Sequence, residues 1–183
     1  MGVDESLRER LVSTGVDMLE QVGAGQLGLR AIARETGVSH GAPRRYFPTH
    51  DALLAAIAAR GFVDLRTRFE ASEATDARAR VEALAVQYVA FARERPEMFV
   101  LMFRHDRIAG TGENVRQRAV PIYRLWADLV NACTPDRSGE RALGLWTNLH
   151  GIATVVANRS IELIAPQADI EELVRAAIAR HLA

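Results

Sequence analysis

Four arginines, Arg30, Arg34, Arg44 and Arg45, stand between positions 30 and 45 against a single acid, Glu35. A guanidinium is a rigid fork of N–H donors that grips a phosphate or pairs with the acceptor edge of guanine. Tyr46 comes directly after the Arg44-Arg45 pair and adds a phenolic hydroxyl. Residue types of this kind, crowded into so short a stretch, fit contacts to the backbone and bases of double-stranded DNA. The candidate set is Arg30, Ser39, His40, Gly41, Ala42, Arg44, Arg45, Tyr46, Thr49 and His50. The chain as a whole points elsewhere at first, because 23 basic and 23 acidic residues give a formal net charge of zero. The local surplus, four arginines less one acid, matters more. Every one of the 23 basic residues is arginine, which reads as a compositional bias rather than as function.

The elements that must position these side chains lie in Leu29–Phe47, LRAIARETGVSHGAPRRYF. Ile32 and Ala33 give a first short helix an apolar face, and Ala33 is small enough for another helix to cross closely. Gly37 falls where a chain leaving a helix needs a left-handed residue. Val38 then re-enters the core, Ser39 is placed to cap a second helix, and Tyr46-Phe47 close it. The pattern is a helix-turn-helix, a device that lays one helix in a DNA groove. Pro43 is tolerated only near a helix's first turn, so the second helix must start late or be short. Thr49 opens a long helix with Asp51 at the positive end of its dipole and Leu53, Leu54, Ile57, Phe62 and Leu65 at apolar positions.

Other constellations give less. Gly23-Ala24-Gly25-Gln26-Leu27-Gly28 spells the dinucleotide fingerprint, but that chemistry needs a strand before the glycines. An amphipathic helix (Leu7, Leu11, Met18, Leu19, Val22) precedes them instead, so they read as a helix stop and turn. The five histidines show no i,i+3 or i,i+4 pair, and Cys133 is the single cysteine; neither a metal site, a disulfide framework nor a cofactor is expected. Ser39-His40 diverge on a helix and find no triad partner, and Glu171-Glu172 read as a solvated helix start. No catalytic residue emerges. The charged N-terminus lacks the apolar run of a signal peptide, and the best apolar stretch, Leu143 to Ile164, is interrupted by His150, Asn158, Arg159 and Glu162. The expectation is a cytoplasmic protein with no membrane partner.

Helical spacing dominates the remainder, and no segment alternates with period two; the expected class is all-α. Val81, Leu84, Tyr88 and Phe91 mark a helix stopped by Pro96, and Met98, Phe99, Met102 and Phe103 a short apolar one. Residues 105–113 read as an exposed loop. The helix between Val115 and Cys133 should kink or divide at Pro121, and Pro135 and Gly139 bracket a break. From Leu143 to Ile164 two apolar faces appear, which require two partners, one of them in another chain. Ile170, Leu173, Val174, Ala177 and Ile178 mark the last helix. Tyr88, Phe91, Met98, Phe99, Met102, Phe103, Trp126, Trp146 and His150 are candidates to line an apolar cavity, with His150 as the orienting polar group.

With these residues in place, the N-terminal third resembles the tetracycline-repressor (TetR) family of bacterial regulators. The likeness covers about residues 4–68 and rests on Ile32-Ala33, Gly37-Val38-Ser39-His40-Gly41, Tyr46-Phe47 and Leu53-Leu54. Trp146, His150 and Gly151, with Arg95–Phe103, resemble one subgroup's ligand domain. Many members carry an aromatic residue where this chain has Arg44, and a lysine where it has His50. The resemblance implies a homodimeric repressor, not an enzyme, that binds a near-palindromic operator and releases it when a small-molecule effector binds. It implies a three-helix helix-turn-helix domain over residues 1–48, a connecting helix reaching residue 68, and a helical ligand-binding and dimerisation domain over 69–183. Its last two long helices would form a four-helix interface in the dimer. The residues alone leave a second reading, a helical enzyme or carrier whose basic helix-turn-helix is incidental.

Overall fold

Ser6 and Glu9 start the first helix by capping each other: the Glu9 amide donates to Ser6 Oγ at 3.3 Å and the Ser6 amide to Glu9 Oε2 at 3.1 Å. A computed structural model of the chain describes residues 6–135 and 139–183. Among them are ten α-helices and no strand: α1 (Leu7–Val22), α2 (Leu29–Thr36), α3 (His50–Glu70), α4 (Ala77–Glu94), α5 (Pro96–Met102), α6 (His105–Ile108), α7 (Arg116–Cys133), α8 (Glu140–Ala157), α9 (Ile161–Ile164) and α10 (Ile170–His181). Residues 1–5 of the expected first domain, and the break expected between Pro135 and Gly139 at 136–138, lie outside the described residues.

The helices form two compact units. The first holds the chain up to Phe62 together with Glu97–Val115; the second holds Val63–Pro96 and Arg116–Ala183. In the first unit α1, α2 and the start of α3 meet around Leu11, Leu19, Leu27, Ile32, Ala33, Leu53 and Ile57, all fully buried. Gly15 makes this possible, since a Cβ there would stand 2.5 Å from Ile57 Cδ1. Residues from Glu97 onward join this unit through side chains remote in sequence. The Glu20 carboxylate of α1 accepts from the Glu97 and Met98 amides at 3.1 and 3.0 Å, satisfying the N-terminus of α5. Arg107 donates from Nε and Nη2 to Asp51 at 2.9 and 2.7 Å, and Arg8 pairs with Glu113.

α5 sits on α3 at Gly61. A Cβ at that position would lie 2.6 Å from Met98 Sδ and 2.7 Å from Met102 Sδ. Both methionines are buried, and Phe103 closes the contact edge-on against Phe62 with ring centres 5.7 Å apart. Gly61→Val is therefore expected to destabilise this unit by about 1–3 kcal/mol through overpacking, despite its better helix propensity. Thermal unfolding followed by circular dichroism checks it; a raised midpoint would contradict the packing described.

In the second unit Asp76 caps α4 through the Ala79 amide (2.9 Å), and Asp169 caps α10 through that of Glu172 (3.0 Å). α4 buries Val81, Leu84, Tyr88, Phe91 and Ala92 against α7, α8 and α10. Trp126 Nε1 of α7 donates to the Ala142 carbonyl of α8 at 3.1 Å. Arg78 and Arg141 donate to the Leu182 and His181 carbonyls and fix the end of α10.

Three expectations change. Pro121 neither divides nor ends α7, which runs unbroken from Arg116 to Cys133; at its sixth position proline loses one intrahelical bond only. Residues 105–113 contain α6, and Ile108 is buried, so the segment is anchored rather than an exposed loop. The stretch from Leu143 to Ile164 is not one helix. Arg159 takes a left-handed φ of 59° between α8 and α9, leaving Leu163 and Ile164 exposed beyond the break.

Candidate nucleic-acid interface

The first unit presents the arginines on a turn braced from behind. α2 ends at Gly37 with φ 74° and ψ 31°, the left-handed conformation read from the sequence, and the Val38 amide returns to the Ala33 carbonyl at 2.9 Å. The next turn is closed by the Ala42 amide on the Ser39 carbonyl at 3.0 Å. Where a short second helix is expected, the chain makes a single 3₁₀ turn, Pro43–Arg45. The Tyr46 and Phe47 amides both reach the Pro43 carbonyl, at 3.0 and 2.9 Å. Pro43 and Phe47 are buried, and they hold Arg44, Arg45 and Tyr46 outward. Behind them the Arg8 guanidinium stacks over the Phe47 ring, 5.3 Å from its centre.

Arg30, Ser39, His40, Gly41, Arg44, Arg45, Tyr46 and Thr49 are exposed, and Ala42 and His50 are half-buried. The side chains of these arginines, like those of Arg93, Arg116, Arg118 and Arg124, differ in state from the paired arginines of the chain. Arg8, Arg66, Arg68, Arg104, Arg107 and Arg159 each pair with a carboxylate. The guanidinium groups of Arg30, Arg34, Arg44 and Arg45 make no ion pair or hydrogen bond with any described residue. All four forks of donors stay open to solvent, with Glu35 the one acid among them.

Thr49 and His50 are tied into the fold. The Ala52 amide donates to Thr49 Oγ1 at 3.0 Å, as expected of the residue that opens α3. His50 Nε2 lies 2.7 Å from the Leu27 carbonyl. A carbonyl only accepts, so Nε2 carries the proton, and in the neutral ring Nδ1 is an acceptor. His50 fastens α3 to the loop before α2 and in that state has no donor for a phosphate. The Leu27 carbonyl as a partner is not foreshadowed by any local pattern.

The nine aromatic, methionine and histidine residues expected around a cavity divide between the units. Met98, Phe99, Met102 and Phe103 are in the first, where Phe99 and Phe103 rings pack 5.1 Å apart. Tyr88, Phe91, Trp126, Trp146 and His150 are in the second. There His150 stacks on Trp146 (5.0 Å, 15°), Tyr123 meets Trp146 edge-on (6.1 Å, 87°), and Tyr88 Oη lies 2.7 Å from His150 Nδ1. Phe91 and Trp126 are buried apart from this stack, the former beneath Arg68.

Burial holds the His150 imidazole below its ordinary value of 6.5 and pushes the Tyr88 phenol upward. The Tyr88 phenol and the neutral His150 imidazole thus share this hydrogen bond. Because the folded state binds fewer protons here than the unfolded chain, this contribution to stability is complete above about pH 6.5 and is lost as pH falls through the lower folded value. Urea midpoints should decline with acidification over that range, and His150→Gln should flatten the decline. An unchanged profile in the variant would place the acid sensitivity elsewhere.

A buried-core helix-turn-helix with outward arginines, followed by a second all-helical unit, is the arrangement of a DNA-binding regulator. Residues 11–57 match the family model described as bacterial regulatory proteins, tetR family, and residues 81–181 that of the tetracyclin repressor-like C-terminal domain. The chain belongs to the TetR family and is a helix-turn-helix transcriptional regulator, not an enzyme. Among solved structures it is similar to a protein of unknown function from Rhodococcus sp. RHA1, 33% identical over 97% of this chain and 94% of that one, with a TM-score of 0.82. A TetR-like transcriptional regulator from Rhodococcus sp. RHA1 is 18% identical over 99% and 98% of the chains (TM-score 0.70). BioQ, solved with its double-stranded DNA operator, is 17% identical over 96% and 99% (TM-score 0.66); likeness at this level concerns the fold alone. No curated protein matched the sequence. No helix among the described residues is long and apolar enough to cross a membrane.

Proposed function

We propose that the chain acts as a homodimeric repressor that binds a near-palindromic operator and leaves it when an apolar small molecule binds the C-terminal domain. The observation that carries the DNA part is the set of four exposed arginines without partners around a braced turn. Two copies of residues 40–46, about one helical turn of DNA apart, enter successive major grooves. Arg44, Arg45 and Tyr46 contact bases and phosphates, Arg30 contacts phosphate, and the N-terminus of the 21-residue α3 faces the backbone. Ser39, His40, Gly41 and Ala42 bring the chain close to the groove. The operator-bound state of BioQ supports this reading by analogy of fold.

In this proposal residues 1–48 read DNA and residues 69–183 bind the effector and the second subunit. Tyr88, Trp146 and His150 contact the effector, with Phe91 and Trp126 supporting them; Met98, Phe99, Met102 and Phe103 serve as core under α3. A coupling of roughly 1–3 kcal/mol per ligand is sufficient to loosen DNA by about tenfold or more. Selection of binding sites from random duplex DNA with the full chain, then salt titration, tests the reading. Recovery of an inverted repeat bound by two chains is expected. Weak, salt-sensitive binding without a recovered motif would overturn it.

A further inference from the structure

A cavity of about 340 Å³ opens within the first unit, between the loop after α1 and the α5–α6 segment. That volume falls in the range of small-molecule sites, roughly 300–1,000 Å³. Val22 and the exposed Val100 give it an apolar wall, to which the buried Leu54 and Leu101 also contribute. Its polar lining is Glu97, Arg104 and Arg107. Arg104 gives Nε and Nη2 to Asp106, and Arg107 gives Nε and Nη2 to Asp51. Each guanidinium is thereby fixed by an acid, while neither Nη1 has a partner among the described residues. Glu97 is half-buried against Gly23, its carboxylate 3.3 Å from where a Cβ would stand, and that carboxylate accepts no hydrogen bond from a described residue.

We propose that this cavity binds an apolar α-amino acid or a close zwitterionic analogue. The ligand carboxylate takes the Nη1 donors of Arg104 and Arg107, its ammonium pairs with Glu97, and its side chain lies on Val22, Val100, Leu54 and Leu101. Both signs of charge and an apolar wall in one cavity select for a zwitterion: a simple acid leaves Glu97 unpaired, and a simple amine leaves both arginines unpaired. The site also adjoins the residues that would touch DNA. Arg107 is held by Asp51, beside His50, and Gln26 of the lining precedes Leu27, whose carbonyl accepts the His50 hydrogen bond. An occupant therefore also changes operator affinity; this second statement alone rests on the DNA-binding reading above.

The test is calorimetric titration of the full chain, without DNA, using L-leucine and L-phenylalanine. The controls are 3-phenylpropionate and phenethylamine, each lacking one charge of the phenylalanine zwitterion. Saturable binding of one amino acid per chain is expected, with each half-ligand weaker by at least about tenfold. Glu97→Gln should bring the zwitterion down to the level of the simple acid. Gly25→Trp should abolish binding: Gly25 lines the cavity, has no neighbour within 4 Å of a Cβ position, and takes no left-handed φ. Absence of saturable amino-acid binding, equal binding of the half-ligands, or binding untouched by Gly25→Trp in a normally folded variant would each overturn the proposal. Binding measured without an effect on DNA would leave the site standing and remove only its regulatory role.

Discussion

Replacing Arg44 and Arg45 together with alanine is expected to weaken DNA binding by at least about tenfold and to flatten its salt dependence. Each phosphate contact given up lowers the log–log slope against salt by about 0.9, so losing both contacts in every bound chain gives a visibly shallower line. If one of the pair reads a base, the loss on the operator exceeds that on random DNA, at about 1–3 kcal/mol for each base-reading arginine. Both side chains are exposed and unpaired, so the fold has little stake in them; unfolding midpoints should stay within about 0.5 kcal/mol of the parent. Fluorescence anisotropy over a salt series gives affinity and slope in one experiment. Unchanged affinity would remove these residues from the interface.

The second large effect comes from the side chain behind the turn. Phe47 is 1% exposed and stacked under Arg8. Phe47→Ala should destabilise the first unit by about 3–5 kcal/mol through lost burial and an unfilled cavity. DNA binding should then fail because the surface is no longer held, in contrast to the arginine variant. The two tryptophans, Trp126 and Trp146, both belong to the second unit. Tryptophan emission thus reports on that unit while circular dichroism reports on both. Early loss of helical signal with little change in emission is expected. A wild-type midpoint by both probes would refute the bracing role of Phe47.

Features set by neighbours in sequence are legible from the residues alone. Gly37 needs only its own backbone to end α2, Thr49 caps α3 through an amide three residues on, and the Pro43 ring restricts the residues on either side of it. The expectation of a shortened second helix rests on that ring, and a 3₁₀ turn is its outcome. Features set by remote partners are not legible in this way. Glu20 is one of three acids on α1, with Glu9 and Asp17, until α5, 77 residues away in sequence, brings two amides to it. The freedom of Arg44 and Arg45 is likewise a statement about which carboxylates are not near. The end of α8 escapes a reading by residue type because Asn158-Arg159-Ser160 holds neither glycine nor proline, yet Arg159 turns left-handed there. The glycines at 23–28, a plain helix stop by their pattern, do turn the chain, and two of them, Gly23 and Gly25, also line a cavity that only their approach to α5 and α6 creates.

The carboxylate of Glu20 on the start of α5 has a consequence for anyone who would treat this regulator as two interchangeable cassettes. Because Glu97–Val115 folds with the N-terminal unit, the covalent chain passes between the units three times, at residues 62–63, 96–97 and 115–116. A gene fragment ending after α3 would encode a head stripped of its Met98 and Met102 plug and of the Asp51 and Arg8 partners. Transplanting DNA specificity onto another sensor would thus take two exchanged segments spliced at three junctions, with the intervening α4 left to the recipient.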